Sequence, residues 1–252
     1  MNDQIKDFAN AIAQTPGVLL IDHKYLETGE ADLGLKDGRR ALYFLNLGAI
    51  ADGESCTKMG SAFAYSLKQR NHWFDVVIGP AYKGITIAND TVGALWRDYR
   101  IKRGWAYKRK EAKEHGEKGS VIGTKLKDGD SLWMVDDVIS SSKTKMDEMK
   151  WFEGYAEQNG ISVPISGLTV GIDREQKAVI EEPDGSKKQL DVSASQYFHD
   201  ETCLPVDVVI GVTELMDYLH QDRVEGPDGV VIDDRFMKAF EEYQKEFGAK
   251  PW

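Results

Sequence analysis

Cysteine is scarce in this chain: Cys56 and Cys203 are the only two in 252 residues. Neither sits in a metal-ligand spacing, and both read as reduced thiols of a cytoplasmic protein rather than as a disulfide framework. Long apolar runs are missing too; stretches such as Val18-Leu19-Leu20-Ile21 break far short of a membrane span. The start, Met1-Asn2-Asp3-Gln4-Ile5-Lys6-Asp7, lacks the basic-then-apolar pattern of a signal peptide. The five histidines (His23, His72, His115, His199, His220) lie too far apart for a local zinc motif. No Gly-x-x-x-x-Gly-Lys-Ser/Thr loop and no dinucleotide fingerprint occur, and there is no internal repeat or low-complexity segment. Positive charge is in deficit: the formal net charge of −10 argues against nonspecific nucleic-acid binding and against anionic membranes.

One window reverses that balance. Arg100, Lys102, Arg103, Lys108, Arg109, Lys110, Lys113 and Lys118, with His115, outnumber Glu111, Glu114 and Glu117. Such an island is either a solvated charged loop or a site for a small polyanion.

Periodicity gives an α/β class fold. Helical patterns cover Ile5 to Ala13, about Glu54 to Arg70, the stretch after Gly84 to Tyr99, Lys145 to Gln158, about Glu214 to Gln221 and about Arg235 to Phe247. Strand patterns cover Phe74 to Ile78, Trp105 to Tyr107, Leu132 to Val138, Ile165 to Ile172 and Val206 to Val212. Strands alternating with helices imply a mainly parallel sheet flanked by helices, in one domain over residues 1–252. Two hairpin signals stand outside this rhythm. Leu35-Lys36-Asp37-Gly38-Arg39 is a tight turn before Leu42 to Leu47, and Pro183-Asp184-Gly185-Ser186 lies within Lys177 to Val192.

The segment that raises a chemical question is Leu132-Trp133-Met134-Val135-Asp136-Asp137-Val138-Ile139-Ser140-Ser141-Ser142-Lys143-Thr144. An apolar strand ends in two adjacent acids, which repel each other and resist burial, so cations or hydrogen-bond donors are expected opposite them. The hydroxyl residues that follow, at a helix start, would present N–H and O–H groups to a phosphate. The acids would suit sugar hydroxyls or a hydrated Mg²⁺ bridging to phosphates. The alternative is that the acids are ordinary loop residues and Ser140 to Ser142 cap a helix. In an open parallel sheet, ligands bind at the carboxyl ends of strands. Gly79-Pro80-Ala81-Tyr82-Lys83-Gly84 and Asp173-Arg174 fall there as well.

This acid-acid segment resembles the phosphoribosyl-pyrophosphate (PRPP) signature of type I phosphoribosyltransferases. Gly79 to Ile85, Arg109-Lys110-Glu111-Ala112-Lys113-Glu114-His115-Gly116-Glu117 and Leu35 to Arg39 resemble orotate phosphoribosyltransferases, in the same order and at similar spacing. The likeness runs from about Leu33 to Arg174 and resumes around Val206 to Leu219. It implies a phosphoribosyltransferase-like core with a small β-containing hood at about residues 1–50, and an inserted hairpin at about 177–192. It further implies transfer of phosphoribose from PRPP to N1 of orotate in UMP biosynthesis, with Mg²⁺ as cofactor.

Carried over by position, Asp136 and Asp137 would contact ribose hydroxyls and the magnesium-bound substrate, and are the candidate metal contacts. Ser140, Ser141, Ser142, Lys143 and Thr144 would hold the 5′-phosphate, and Val138 and Ile139 would contact PRPP beside them. Tyr82 and Lys83 would lie along the pyrophosphate. Arg109, Lys110, Lys113 and His115 would close over it from a loop at 109–119 that reaches a partner subunit, which implies a homodimer. Lys113 and His115, with the two acids, are the expected catalytic groups. Lys36 matches a PRPP contact, and Phe44, Leu45, Ser140 and Arg174 match positions facing orotate. Taken singly, Phe44 reads as core and Arg174 as a surface ion-pair partner.

Two positions depart from the family pattern: Ser142 stands where a glycine is usual, which implies a different loop shape, and Leu45 replaces a second phenylalanine. A phosphoribosyltransferase for another base, and a PRPP-binding regulator without turnover, are the alternatives.

Overall fold

The computed structural model describes residues 1–35, 38–109, 120–139, 142–182 and 184–250. The chain begins with α1 (Asp3–Gln14), whose first turn is capped by Asn2 Oδ1 accepting from Ile5 N–H. Then come β1 (Leu19–Ile21), α2 (His23–Thr28) and β2 (Tyr43–Leu45). The sheet-forming run is α3 (Gly53–Arg70), β3 (Val76–Ile78), α4 (Lys83–Tyr99), β4 (Gly104–Lys108), β5 (Val121–Gly123), β6 (Leu132–Ile139), α5 (Lys143–Asn159) and β7 (Ile165–Asp173). A hairpin of β8 (Lys177–Glu181) and β9 (Lys187–Ser193) follows, then α6 (Ala194–Thr202), β10 (Val206–Gly211) and α7 (Val212–Gln221). A two-residue ribbon, β11 (Glu225–Gly226) and β12 (Gly229–Val230), leads to α8 (Asp234–Phe247).

The main sheet has the order β10-β7-β6-β3-β4-β5, parallel throughout except for the antiparallel β4–β5 edge. Strand side chains alternate between two faces. On β6, Trp133 and Val135 enter the core beneath α3 and α4, whereas Leu132 and Met134 enter the core beneath α5 and α6. The fit is close at one point: a Cβ on Gly167 of β7 would collide with the Trp133 indole.

The first hairpin signal resolves differently from its sequence reading. Leu35 N–H donates to Arg39 C=O and Ala41 N–H to Leu33 C=O, so the turn closes. But Tyr43–Leu45 pairs with Leu19–Ile21, not with the residues just before the turn. This small sheet is the hood. It packs into the α3/α4-side core through Tyr43 and Leu45, and α8 braces it from behind. Tyr243 and Phe240 lie against Tyr43, and Tyr243 Oη donates to Arg40 C=O at 3.1 Å. The second hairpin signal is β8–β9.

Sheet register sets the position of the acids. β3 stops at Ile78, opposite Met134, whereas β6 runs on to Ile139 beside β7. The last five residues of β6 therefore extend past β3, and the start of α4 occupies the space beyond it.

Candidate active site

Asp136 and Asp137 are neighbours in a strand, so their side chains leave opposite faces of the sheet. Each meets a lysine from the helix on its own side. Asp137 Oδ2 lies 2.6 Å from Lys83 Nζ at the start of α4, on the hood side. Asp136 Oδ2 lies 2.6 Å from Lys145 Nζ in the first turn of α5, on the other side. Asp136 Oδ1 accepts from the Asp137 N–H at 2.9 Å, so both of its oxygens are engaged.

The two pairs differ in enclosure. The Lys145 and Asp136 side chains are 6% and 10% exposed, while Lys83 is 41% exposed against 13% for Asp137. Burial pushes the Asp136 carboxyl above its ordinary range; Lys145 opposes the shift and the neighbouring Asp137 charge adds to it. One ion pair is thus sealed under α5, and the other opens toward the hood. Lys83 also runs along the hood backbone, where a Cβ on Gly48 would stand 3.0 Å from its Cε.

Arg174 follows β7 on that hood side. It is buried, with its guanidinium 5.0 Å from the centre of the Tyr43 ring. Its Nε and Nη2 have no hydrogen-bond partner among the described residues. Nε and Nη2 form one edge of the guanidinium, the edge that matches the two oxygens of a carboxylate.

The site thus combines an acid pair with a lysine on each face and a buried arginine just after the adjoining strand. Comparison with known proteins supplies relatives along most of the chain. The chain is 35% identical over 221 residues to the orotate phosphoribosyltransferase of Agathobacter rectalis, covering 87% of this chain and 91% of that one. It is 31% identical over 250 residues to that of Bifidobacterium longum, covering 96% and 100%.

The chain belongs to the orotate phosphoribosyltransferase family.

No curated family profile matches it. Among solved structures, the orotate phosphoribosyltransferase of Francisella tularensis superposes with a TM-score of 0.65 at 23% identity, over 92% of this chain and 95% of that one. UMP synthase of Leishmania donovani gives 0.64 at 15% identity, over 95% of this chain and 42% of that one. Both share the fold. The relatives favour an orotate enzyme over a sensor or an enzyme for another base.

Tyr82 stands at the head of α4, exposed, after a cis Ala81–Tyr82 peptide. The preceding turn is tight enough that a Cβ on Gly79 would strike the Gly84 carbonyl. Phe44 is partly exposed on β2, while Leu45 is buried in the hood core. Arg109 N–H donates to Ser120 C=O at 2.7 Å, closing the base of the 109–119 segment. Arg109 Nε and Nη1 have no partner among the described residues.

Val138 is half-buried, Ile139 is buried, and Thr144 is exposed. Ser142, just before α5, has φ −84° and ψ −9°, a conformation open to any residue, so its backbone needs no glycine. Its buried hydroxyl donates to Ala194 C=O at 2.9 Å. Lys36, Lys110, Lys113, His115, Ser140 and Ser141 lie outside the described residues.

Three groups escape a reading of the sequence. Lys145, Glu148 and Phe152 are the buried residues of α5, and their i, i+3, i+7 spacing marks one face. Two charges on that inward face were the available signal. Glu148 Oε2 lies 2.6 Å from Lys108 Nζ at the end of β4, which ties α5 to the strand that leads into Arg109. Burial raises the Glu148 carboxyl, against the pull of Lys108. Tyr43, the ring behind Arg174, is the third.

A magnesium ion fits the donor set in one manner. No cluster of three or more His, Cys, Asp or Glu side chains suited to a metal occurs among the described residues. Both Asp136 oxygens are engaged, and Asp137 Oδ2 is held by Lys83. That leaves Asp137 Oδ1 as a single carboxylate oxygen, which suits an ion that arrives on phosphates and keeps its waters.

Proposed function

We infer that this protein transfers the 5-phosphoribosyl group from PRPP to N1 of orotate, giving orotidine 5′-monophosphate and pyrophosphate. The observation that carries the reading is Arg174, buried against Tyr43 with two unused N–H groups, on the same face of the sheet as the Lys83–Asp137 pair. The guanidinium would fork onto the orotate carboxylate, with Phe44 flanking the ring. Asp137 would accept from ribose hydroxyls once Lys83 turns to the pyrophosphate. Asp136, enclosed by Lys145, would fix the strand end and contact the ribose only from its edge. Residues Ser140 to Thr144 would hold the 5′-phosphate through main-chain N–H groups and hydroxyls.

Breaking the bond at the anomeric carbon puts negative charge on the departing pyrophosphate. Arg109, Lys110, Lys113 and His115 would answer that charge, and Lys36 would reach PRPP from the hood. Closure of 109–119 would exclude the water that otherwise hydrolyses the activated sugar. Magnesium, carried on PRPP and touched by Asp137, would neutralise phosphate charge.

The enzyme would work as a homodimer whose 109–119 segments serve the partner's site, in the cytoplasmic route to UMP. Cys56 and Cys203 are free thiols, in keeping with a reducing compartment. No described helix is long and apolar enough to cross a membrane.

The test is loss of orotate absorbance on mixing the protein with orotate, PRPP and Mg²⁺, with Lys113→Ala as control. Turnover that collapses in the variant is expected. PRPP binding without consumption of orotate would overturn the reading.

A further inference from the structure

Lys143 is the first residue of the 17-residue helix α5. That is the wrong end for a cation: the amides there carry partial positive charge, which favours anions and disfavours an ammonium. A lysine in this position is accounted for by a negative group close by. In the free protein that group is Glu181, at the end of β8, whose Oε2 lies 2.9 Å from Lys143 Nζ. Each shifts the other in the direction of charge pairing, Glu181 downward and Lys143 upward, with the mutual hydrogen bond as the leading cause.

The hairpin that presents Glu181 is held to the site at two further points. Its end adjoins Ala194, whose carbonyl accepts from the buried Ser142 hydroxyl. Its base is tied to the hood turn, where Arg39 Nη1 donates to Lys177 C=O at 3.1 Å. β8–β9 therefore bridges the start of α5 and the hood turn, and sets a carboxylate beside the first residue of α5. The Lys143 and Glu181 side chains are 69% and 56% exposed. An exposed pair of this kind is screened by water and opens at little cost, unlike the sealed Lys145–Asp136 pair. Lysine is suited to such an exchange, since its ammonium is a point charge on a flexible stem with no preferred planar partner.

We propose that Glu181 is a built-in competitor of the substrate's 5′-phosphate: its carboxylate holds Lys143 in the free protein and yields it when a phosphomonoester binds beside Lys143 at the start of α5. The proposal rests on the proposed function's reading of this place as the phosphate site. Its consequence is that the hairpin sets the affinity for phosphoribosyl ligands. The charge at position 143 that replaces usual loop chemistry is masked until a phosphate arrives.

The experiment measures ribose 5-phosphate binding by calorimetry at fixed ionic strength in wild type, Glu181→Gln, Lys143→Gln and the double variant. Both side chains are exposed, so folding should be preserved. Glu181→Gln is expected to tighten binding roughly two- to fivefold, the scale of a released surface ion pair, and Lys143→Gln to weaken it. The double variant should match Lys143→Gln alone. Unchanged or weakened binding in Glu181→Gln would overturn the proposal. So would a tightening that persists without Lys143, because that is a general effect of removing one negative charge. Orotate turnover by the wild type is read separately. Its failure would count against the proposed reaction while leaving the ribose 5-phosphate result interpretable.

Discussion

Lys145 and Asp136 form a sealed ion pair, 2.6 Å apart, between the inward face of α5 and the end of β6. Removing the cation alone leaves a buried carboxylate without compensation. Lys145→Met is therefore expected to cost about 3–5 kcal/mol of stability, read as a lowered urea midpoint. Lys145→Met combined with Asp136→Asn should recover most of that loss without restoring activity. Equal midpoints for Lys145→Met and wild type would show that the pair contributes nothing.

The Lys83–Asp137 pair should behave in the opposite way. Because Lys83 is half-exposed, Lys83→Ala is expected to change stability by less than about 1 kcal/mol. Its effect should appear in kinetics, as a raised KM for PRPP and a lowered kcat. A variant with wild-type kinetics would remove Lys83 from the substrate path.

Arg174→Lys keeps the charge but loses the planar fork. Orotate should then be used with kcat/KM reduced roughly ten- to hundredfold, the scale of about 1.5–3 kcal/mol for hydrogen bonds to a charged group. KM for PRPP should move little. Equal damage to both substrates would place Arg174 in the scaffold rather than on the base.

Glu148 supplies a pH dependence. Its buried carboxyl is raised above the ordinary value, so the folded protein keeps this proton at pH values where the unfolded chain has released it. The stabilising contribution of the group is full below the unfolded carboxylate range, at about pH 4. It is lost as pH rises through the raised folded value. Glu148→Gln should gain stability relative to wild type as pH climbs from about 4 toward neutrality. Denaturation curves at several pH values check this, and a constant offset between the two proteins would sink it.

Gly167 lies under the Trp133 indole. Gly167→Ala is expected to cost about 1–3 kcal/mol by overpacking, measured as a drop in Tm.

The sheet and the strand end that carries Asp136 and Asp137 were legible in the sequence, because β6, β7 and α5 announce themselves through local periodicity and a change of residue type at Asp136. The pairing of β1 with β2 was not, since Leu19 and Leu45 meet across a long chain separation that no local pattern encodes. Helices α2 and α6 went unread for lack of a sustained apolar stripe; among the described residues α2 buries none. Lys145 was missed because a lysine in a helix reads as solvent-facing, and only its spacing to Phe152 betrays the inward face. Ser142 looked like a defect in a glycine loop. With an ordinary negative φ and a bond to Ala194, it ties the start of α5 to the start of α6 instead.

The bracing of the hood by α8 bears on the order in which the site is completed as the chain is made. Lys83, Asp136, Asp137, Lys145 and Arg174 all precede α8, and the sheet that carries them can assemble as they emerge. Tyr43 emerges earlier still, yet its ring is backed by Phe240 and Tyr243, and Arg40 C=O waits for the Tyr243 hydroxyl. A nascent chain halted before Asp234 would hold the Lys83–Asp137 and Lys145–Asp136 pairs with the wall behind Arg174 unfinished. The backing of Arg174 is thus completed only after the sheet, and it depends on contact between α8 and the hood strand β2.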